Sequence, residues 1–284
     1  MAGITKRILP PIVWICIYPI SILPWWIHYS YAYIGYIIAY YITGYRRDVI
    51  AINLSRSFPK LNYNQIRDLH QEYLKYLFNI FSEWVKLNTI SKKKLKEKLT
   101  IENHQILDQF AEEGKSTFVV MGHLGNWEYM NILPQYINTP IYVGYKKQRG
   151  CISNFLSIKM RTRFNINIIE SSEILRYILS NKNKPQIYIF IADQSPHWSN
   201  TKRYNFLNQP TTAFDGVEKL AKNTNTKLVY LDIILTKKGS YTMSFKEFNN
   251  NSELSNTQDF LYKLEESIYK APHTWLWSHK RWKH

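Results

Sequence analysis

Between residues 117 and 191 the chain alternates short apolar runs with segments of helical spacing, and this alternation limits the folds open to it. "TFVVM", "IYVGY", "INIIE" and "QIYIFIA" read as strands. Helical patterns from Trp127, from about Cys151 to Phe164, and over "SEILRYILS" separate them. "FVVM" and "IYIFIA" are continuously apolar, as strands are when helices cover both sheet faces. A helix over "DGVEKLAKN" follows, then strands "KLVYLDIIL" and "YTMSFKEF" and a closing helix from about Asn256 to Lys270. Such an order predicts one α/β domain with a mixed, largely parallel sheet flanked by helices. Upstream, "NQIRDLHQEYLKYLFNIFSEWVKL" carries Leu69, Tyr73, Leu77, Ile80, Phe81 and Trp84 at helical spacing, with Asn64 as the expected N-cap. A second helix, from about His104 to Glu113, is expected to stop at Gly114. No repeat, Gly/Ser linker or domain boundary is visible after residue 46.

The N-terminus differs in kind. From Ile8 to Tyr45 there is no Lys, Arg, Asp or Glu, while Lys6, Arg7, Arg46 and Arg47 bracket the stretch. A membrane span takes about 20 apolar residues, so the length admits one span with an interfacial extension, or a hairpin. Pro10, Pro11, Pro19 and Pro24 oppose a smooth helix through the first half. The second half, "YAYIGYIIAYYITGY", is rich in rings that suit the headgroup region. No compact cleavable signal is evident, and a pair of core helices is the plain alternative. We therefore expect residues 1–45 to form a membrane anchor and 46–284 the body. Basic residues at both ends leave orientation open, while the basic body favours the cytoplasmic side.

Charge narrows the partners. The net charge of +16 suits nucleic acid, an anionic membrane or an acidic partner. The 15% aromatic content, with 22 Tyr and 9 Trp, tips the choice toward a membrane. Cys16 and Cys151 are far apart and indicate neither a disulfide framework nor a cysteine metal site, which fits a reducing compartment.

The chemistry concentrates at "MGHLGNWE", Met121 to Glu128. Reactive groups in α/β sheets collect where strands end, and His123 follows such an end. Gly122 and Gly125 allow a sharp turn. Asn126 is a good N-cap for a helix starting at Trp127, and Glu128 falls in its first turn. The spacing is expected to set the Glu128 carboxylate beside the His123 imidazole, a pair able to take a proton from a hydroxyl. A His and a Glu that merely cap a turn are the competing reading. There is no HExxH, cysteine pair or second nearby His, so no metal is expected. G-x-S-x-G, GxGxxG and the phosphate-binding P-loop are also absent.

"HLGNWE" resembles the H-x4-D/E motif of the lysophospholipid acyltransferase superfamily, in the form found in the bacterial lipid A biosynthesis (late or secondary) acyltransferases. "YRRDVIAINLSRSFP" is similar to that family's post-anchor segment, and "FIADQS" with "FLNQPTTAFDGVEKLAK" to its second active-site region. "TWLWSHKRWK" is similar to its closing W-x-H-x-R-W run. The four segments span nearly the whole chain in order. Leu124 stands where many members have Phe, Lys146 where many have Arg, and "FLNQP" where better-known members have a Phe-Phe-Gly run.

The resemblance implies transfer of a fatty acyl chain from a thioester to a lipid hydroxyl, without an acyl-enzyme and without a cofactor. His123 would be the general base and Glu128 its orienting partner. Gly125, Asn126, Lys146 and Asp193 would bind substrate, with the backbone near Gly125 or the Lys146 ammonium as candidate oxyanion donors. The implied donor is acyl carrier protein and the implied acceptor an anionic lipid A precursor or related glycolipid; the alternative within the family is a CoA-dependent transferase acting on another membrane glycolipid or aminolipid. The implied place is the bacterial inner membrane, with the site on the cytoplasmic side. Arg149, Lys159, Arg161 and Arg163 form a candidate docking patch, and the tail "WLWSHKRWKH" suits either a headgroup surface or core packing. A non-catalytic, basic, membrane-anchored binding protein is the reading from another class. It gives no reason for His123 and Glu128, and no nucleic-acid motif is present.

Overall fold

The computed structural model describes residues 2–195, 202–248 and 255–282. Ten α-helices occur among them: α1 (Ala2–Ile22), α2 (Trp25–Ile37), α3 (Arg47–Ser57), α4 (Tyr63–Lys86), α5 (Lys92–Lys96), α6 (Gln105–Glu112), α7 (Cys151–Arg161), α8 (Ile174–Ser180), α9 (Gly216–Thr224) and α10 (Asn256–Lys270). Strands β1 (Leu99–Glu102), β2 (Thr117–Met121), β3 (Ile141–Tyr145), β4 (Asn167–Glu170), β5 (Ile187–Ile191), β8 (Lys227–Lys237) and β9 (Ser240–Glu247) form a seven-stranded sheet in the order β1-β9-β8-β2-β5-β3-β4. β6 (Tyr204–Phe206) and β7 (Gln209–Thr211) make a separate hairpin. Only β8 and β9 pair antiparallel within the large sheet. The expected mixed, largely parallel α/β sheet is therefore present.

β2 shows why this sequence folds so. All five of its residues are buried, and alternate side chains enter opposite layers. Phe118 and Val120 join the core beneath α4, α9 and α10. Val119 and Met121 join the one beneath α6 and α7. Burial on both faces leaves β2 a single polar residue, Thr117 at its start, and the next polar side chain, His123, appears beyond Gly122 at its carboxyl end.

Several local expectations shift. The N-cap before α4 is Asn62, not Asn64: its side chain accepts from the Gln65 N–H, and Gln65 accepts from the Asn62 N–H. This reciprocal capping box satisfies two otherwise orphaned donors. Ser91 caps the short basic helix α5, which leads into an edge strand, β1, that the sequence pattern does not announce. The segment after Asn126 is a 3-10 helix, Trp127–Gln135, rather than an α-helix.

The N-terminal segment breaks at Pro24 alone of its four prolines: contrary to expectation, α1 runs unbroken through Pro10, Pro11 and Pro19. Among the described residues no single helix is long and apolar enough to cross a membrane; Leu9–Ile22 and Trp25–Ile42 reach that length together but meet at a 116° bend. α2 packs on α4, burying His28, Ala32 and Tyr36. A Cβ on Gly35 would lie 2.6 Å from Phe78, so glycine permits this close approach. Lys86 ties the bend down by donating to the Ile22 and Leu23 carbonyls. The outer faces of α1 and α2 leave Ile12, Ile15, Trp26, Tyr33 and Ile34 at least half exposed.

Candidate active site

β2 and β5 are parallel neighbours with Met121 opposite Ile191. Two residues further along each strand stand His123 and Asp193, which the register brings face to face. The His123 Nδ1 lies 2.6 Å from Asp193 Oδ1. The other oxygen, Oδ2, accepts from the His123 backbone N–H at 2.9 Å and the Trp275 indole N–H at 2.8 Å. Burial opposes ionisation of Asp193, but the His123 imidazole beside it, the hydrogen bonds from His123 and that from Trp275 prevail and hold it down to about 2. An ionised carboxylate only accepts, so the pair requires the proton on Nδ1. Nε2 is then the unprotonated nitrogen. The Gln194 side-chain nitrogen stands 3.4 Å from Nε2, and the Trp127 ring packs edge-on against the imidazole at 5.1 Å between centroids.

Glu128 is not the partner of His123. Its carboxylate is held by Arg161 through two bonds, Nη2 to Oε1 at 2.6 Å and Nε to Oε2 at 3.1 Å. Asn131 adds contacts to the Glu128 carbonyl and carboxylate. The cap was foreseen: Asn126 Oδ1 accepts from the Glu128 N–H at 3.2 Å. That cap turns the chain into a tight 3-10 helix, which carries the carboxylate to the last residue of α7 while the imidazole meets β5. Burial works against the charge on Arg161, yet Glu128 outweighs it and raises the guanidinium further.

The motif is fixed from behind. Asn126 is buried and donates from Nδ2 to Glu83 on α4 at 2.8 Å. Glu83 also accepts from the hydroxyls of Tyr241 and Tyr29. Burial raises its carboxyl above the usual range against the pull of Asn126, Tyr241, Lys98 and Tyr29. Gly125 has φ +64°, and a Cβ there would come within 2.5 Å of the Ile233 carbonyl oxygen. Its N–H donates to the Thr274 carbonyl at 3.1 Å. Gly125 therefore shapes the turn, and its own N–H is already committed to that carbonyl. Lys146 lies exposed just beyond β3 on the same sheet edge. β5 stands between β3 and β2, so about 10 Å separates the two strands.

The matching chain-wide model is that of the bacterial lipid A biosynthesis acyltransferases, over residues 5–284. The chain belongs to that family. No curated protein matches it. As a lipid A acyltransferase it carries the expected H-x4-E motif, but the charged partner of the histidine comes from the FIADQS segment. The closing TWLWSHKRWK segment also gains a role here. Trp275 and Trp277 are buried core residues in edge-to-face contact, and Trp275 reaches Asp193. Arg281 is almost wholly buried and donates to the Thr212 carbonyl; burial pulls its guanidinium down to about 10 despite the Asp193 charge. Lys283 and His284 lie outside the described residues. Among the described residues, no group of His, Cys, Asp and Glu gathers as a metal site.

Proposed function

We propose that this acyltransferase moves a fatty acyl chain from an acyl carrier protein thioester to a hydroxyl of a lipid A precursor by direct attack. His123 Nε2 takes the hydroxyl proton as the oxygen attacks the thioester carbonyl. The resulting imidazolium is stabilised by Asp193, and the carrier thiolate departs with the acyl group left as an ester. Glu128 and Arg161 brace the wall of the site beside the imidazole. Asn126 and Gly125 shape the loop, and Lys146 contributes charge at the rim. The single observation behind this reading is the 2.6 Å contact between His123 Nδ1 and buried Asp193, which orients one ring nitrogen as a base.

In this reading residues 1–45 anchor the protein in the bacterial inner membrane and 46–284 form the acyltransferase domain facing the cytoplasm. The exposed apolar faces of α1 and α2 support the anchor, and the +16 charge suits an acidic carrier and an anionic acceptor. Purified protein in detergent, given acyl carrier protein thioester and a lipid A precursor, should form the acylated product, and His123→Ala should abolish it. Wild-type turnover by that variant would remove His123 as the base. Turnover with acyl-CoA but not with the carrier protein would reassign the donor.

A further inference from the structure

The four cations that the sequence offers as one docking patch do not stay together. Arg161 turns inward to Glu128, and Arg163 donates to the Leu87 carbonyl. Arg149 and Lys159 instead meet Lys147 around a cavity of about 470 Å³ between α1 and α7. Its walls include Pro10, Phe155 and Ile158, and among the described residues no carboxylate lines it. Lys159 sits over the Trp14 ring at 4.8 Å, which joins the two helices and fixes one ammonium at the rim. The cavity opens beside the α1 face that exposes Ile12 and Ile15.

We infer that this cavity is a binding site for the phosphate-bearing headgroup of a membrane lipid, the acceptor in the acyltransferase reading above, on which the inference rests. Three cations without a counter-charge fit a phosphate, and the apolar walls fit the first carbons beneath it. The site adjoins an apolar surface, as a headgroup at a bilayer does. A docked acidic protein needs a broad face rather than a cavity of this size. The position also suits an acceptor. α7 begins in the cavity wall at Cys151 and ends at Arg161, which grips Glu128 of the catalytic loop. An 11-residue helix is about 16 Å long, so a headgroup held at one end leaves the rest of a large glycolipid extended along α7 toward His123.

Calorimetry on the full-length protein in detergent tests the site with dihexanoyl phosphatidate, dihexanoyl phosphatidylcholine and inorganic phosphate as probes. Phosphatidate should bind at least tenfold more tightly than phosphatidylcholine, and inorganic phosphate should bind more weakly than phosphatidate. The triple variant Lys147→Gln/Arg149→Gln/Lys159→Gln should lose at least tenfold for phosphatidate. The charge-keeping variant Lys147→Arg/Arg149→Lys/Lys159→Arg should retain binding, which separates lost charge from lost folding. Equal binding of the two lipids, or unchanged phosphatidate binding by the Gln variant, would overturn the inference. Inorganic phosphate binding as tightly as phosphatidate would make this a free-phosphate site and overturn the lipid assignment. In the acyl-transfer assay the Gln variant should raise KM for the acceptor at least fivefold with kcat and the donor KM kept. A rise confined to the donor KM would assign the surface to the carrier protein instead. No turnover by the wild type would defeat the proposed function and leave the calorimetric result standing on its own.

Discussion

Asp193→Asn is the sharpest perturbation of the site. The wild-type carboxylate, with only 2% of its side chain exposed, faces three N–H donors: Oδ1 takes the imidazole, and Oδ2 takes both the His123 backbone and the Trp275 indole. An asparagine has one oxygen for these two positions. Placing it where Oδ2 stood keeps two bonds, and that orientation turns the amide NH2 toward Nδ1. Nδ1 must then accept, the imidazole proton moves to Nε2, and the basic nitrogen is lost. The charge that stabilises the forming imidazolium is lost as well. Two unit charges about 4 Å apart interact by about 4 kcal/mol at an effective dielectric of 20. At 1.36 kcal/mol per decade this is about a thousandfold in kcat. We therefore expect kcat to fall by about three orders of magnitude with the acceptor KM little changed, and with far-UV circular dichroism and a melting transition retained. Initial rates of acyl transfer to a lipid A precursor in detergent measure it. A variant that keeps more than a tenth of wild-type kcat would refute the reasoning. Glu128→Gln is the companion: its side chain meets Arg161, so it should cost at least tenfold less in kcat than Asp193→Asn. The reverse order would mean that the motif carboxylate, not Asp193, serves the imidazole during turnover.

Further outcomes follow from the same contacts. Arg161→Met leaves Glu128 buried without its counter-charge, and should destabilise the fold by about 3–5 kcal/mol in urea unfolding; adding Glu128→Gln should recover part of this. Gly125→Ala places a Cβ at φ +64° against the Ile233 carbonyl; about 2–4 kcal/mol should be lost, visible as a lower Tm. Asp193, held at about 2 against an ordinary 3.8, contributes about 2 kcal/mol of stability above pH 4. That contribution is lost as pH falls from 3.8 through 2, so the wild-type advantage over Asp193→Asn should shrink over this range. Glu83 has the opposite sign: its raised carboxyl makes its contribution complete below 4.5 and lost as pH rises through the raised value. Glu83→Gln should flatten that part of the stability-pH curve.

What could be read from the sequence divides by the range of the forces involved. β2 and β5 were legible because strands covered on both faces are near-continuous apolar runs, and that constraint is written in consecutive residues. β1 was not, because "LTIE" is short and half polar and becomes a strand only by pairing with β9. The β6–β7 hairpin was equally hidden: its turn places Leu207 and Asn208 at positive φ, and a leucine gives no turn signal. Asn62 could have been preferred to Asn64 from Gln65 alone, since a reciprocal cap needs that residue three positions on.

The candidate active site follows the same division. His123, Gly125 and the capping role of Asn126 belong to one local turn, and each could be reasoned from its neighbours. The choice of carboxylate could not. Glu128 is five residues from His123 and Asp193 is seventy, so proximity in sequence favoured Glu128. The outcome was decided by strand order, because β5 lies directly beside β2 and its end carries Asp193 to Nδ1. Glu128 was free to turn away because α7, two elements later, supplies an arginine at its last residue. In the proposed mechanism the H-x4-E spacing marks where the site is, while the sheet topology selects which acid meets the His123 imidazole. A relative that kept the motif but altered the FIADQS aspartate should keep the loop and its Glu128–Arg161 clasp yet transfer acyl groups as poorly as Asp193→Asn.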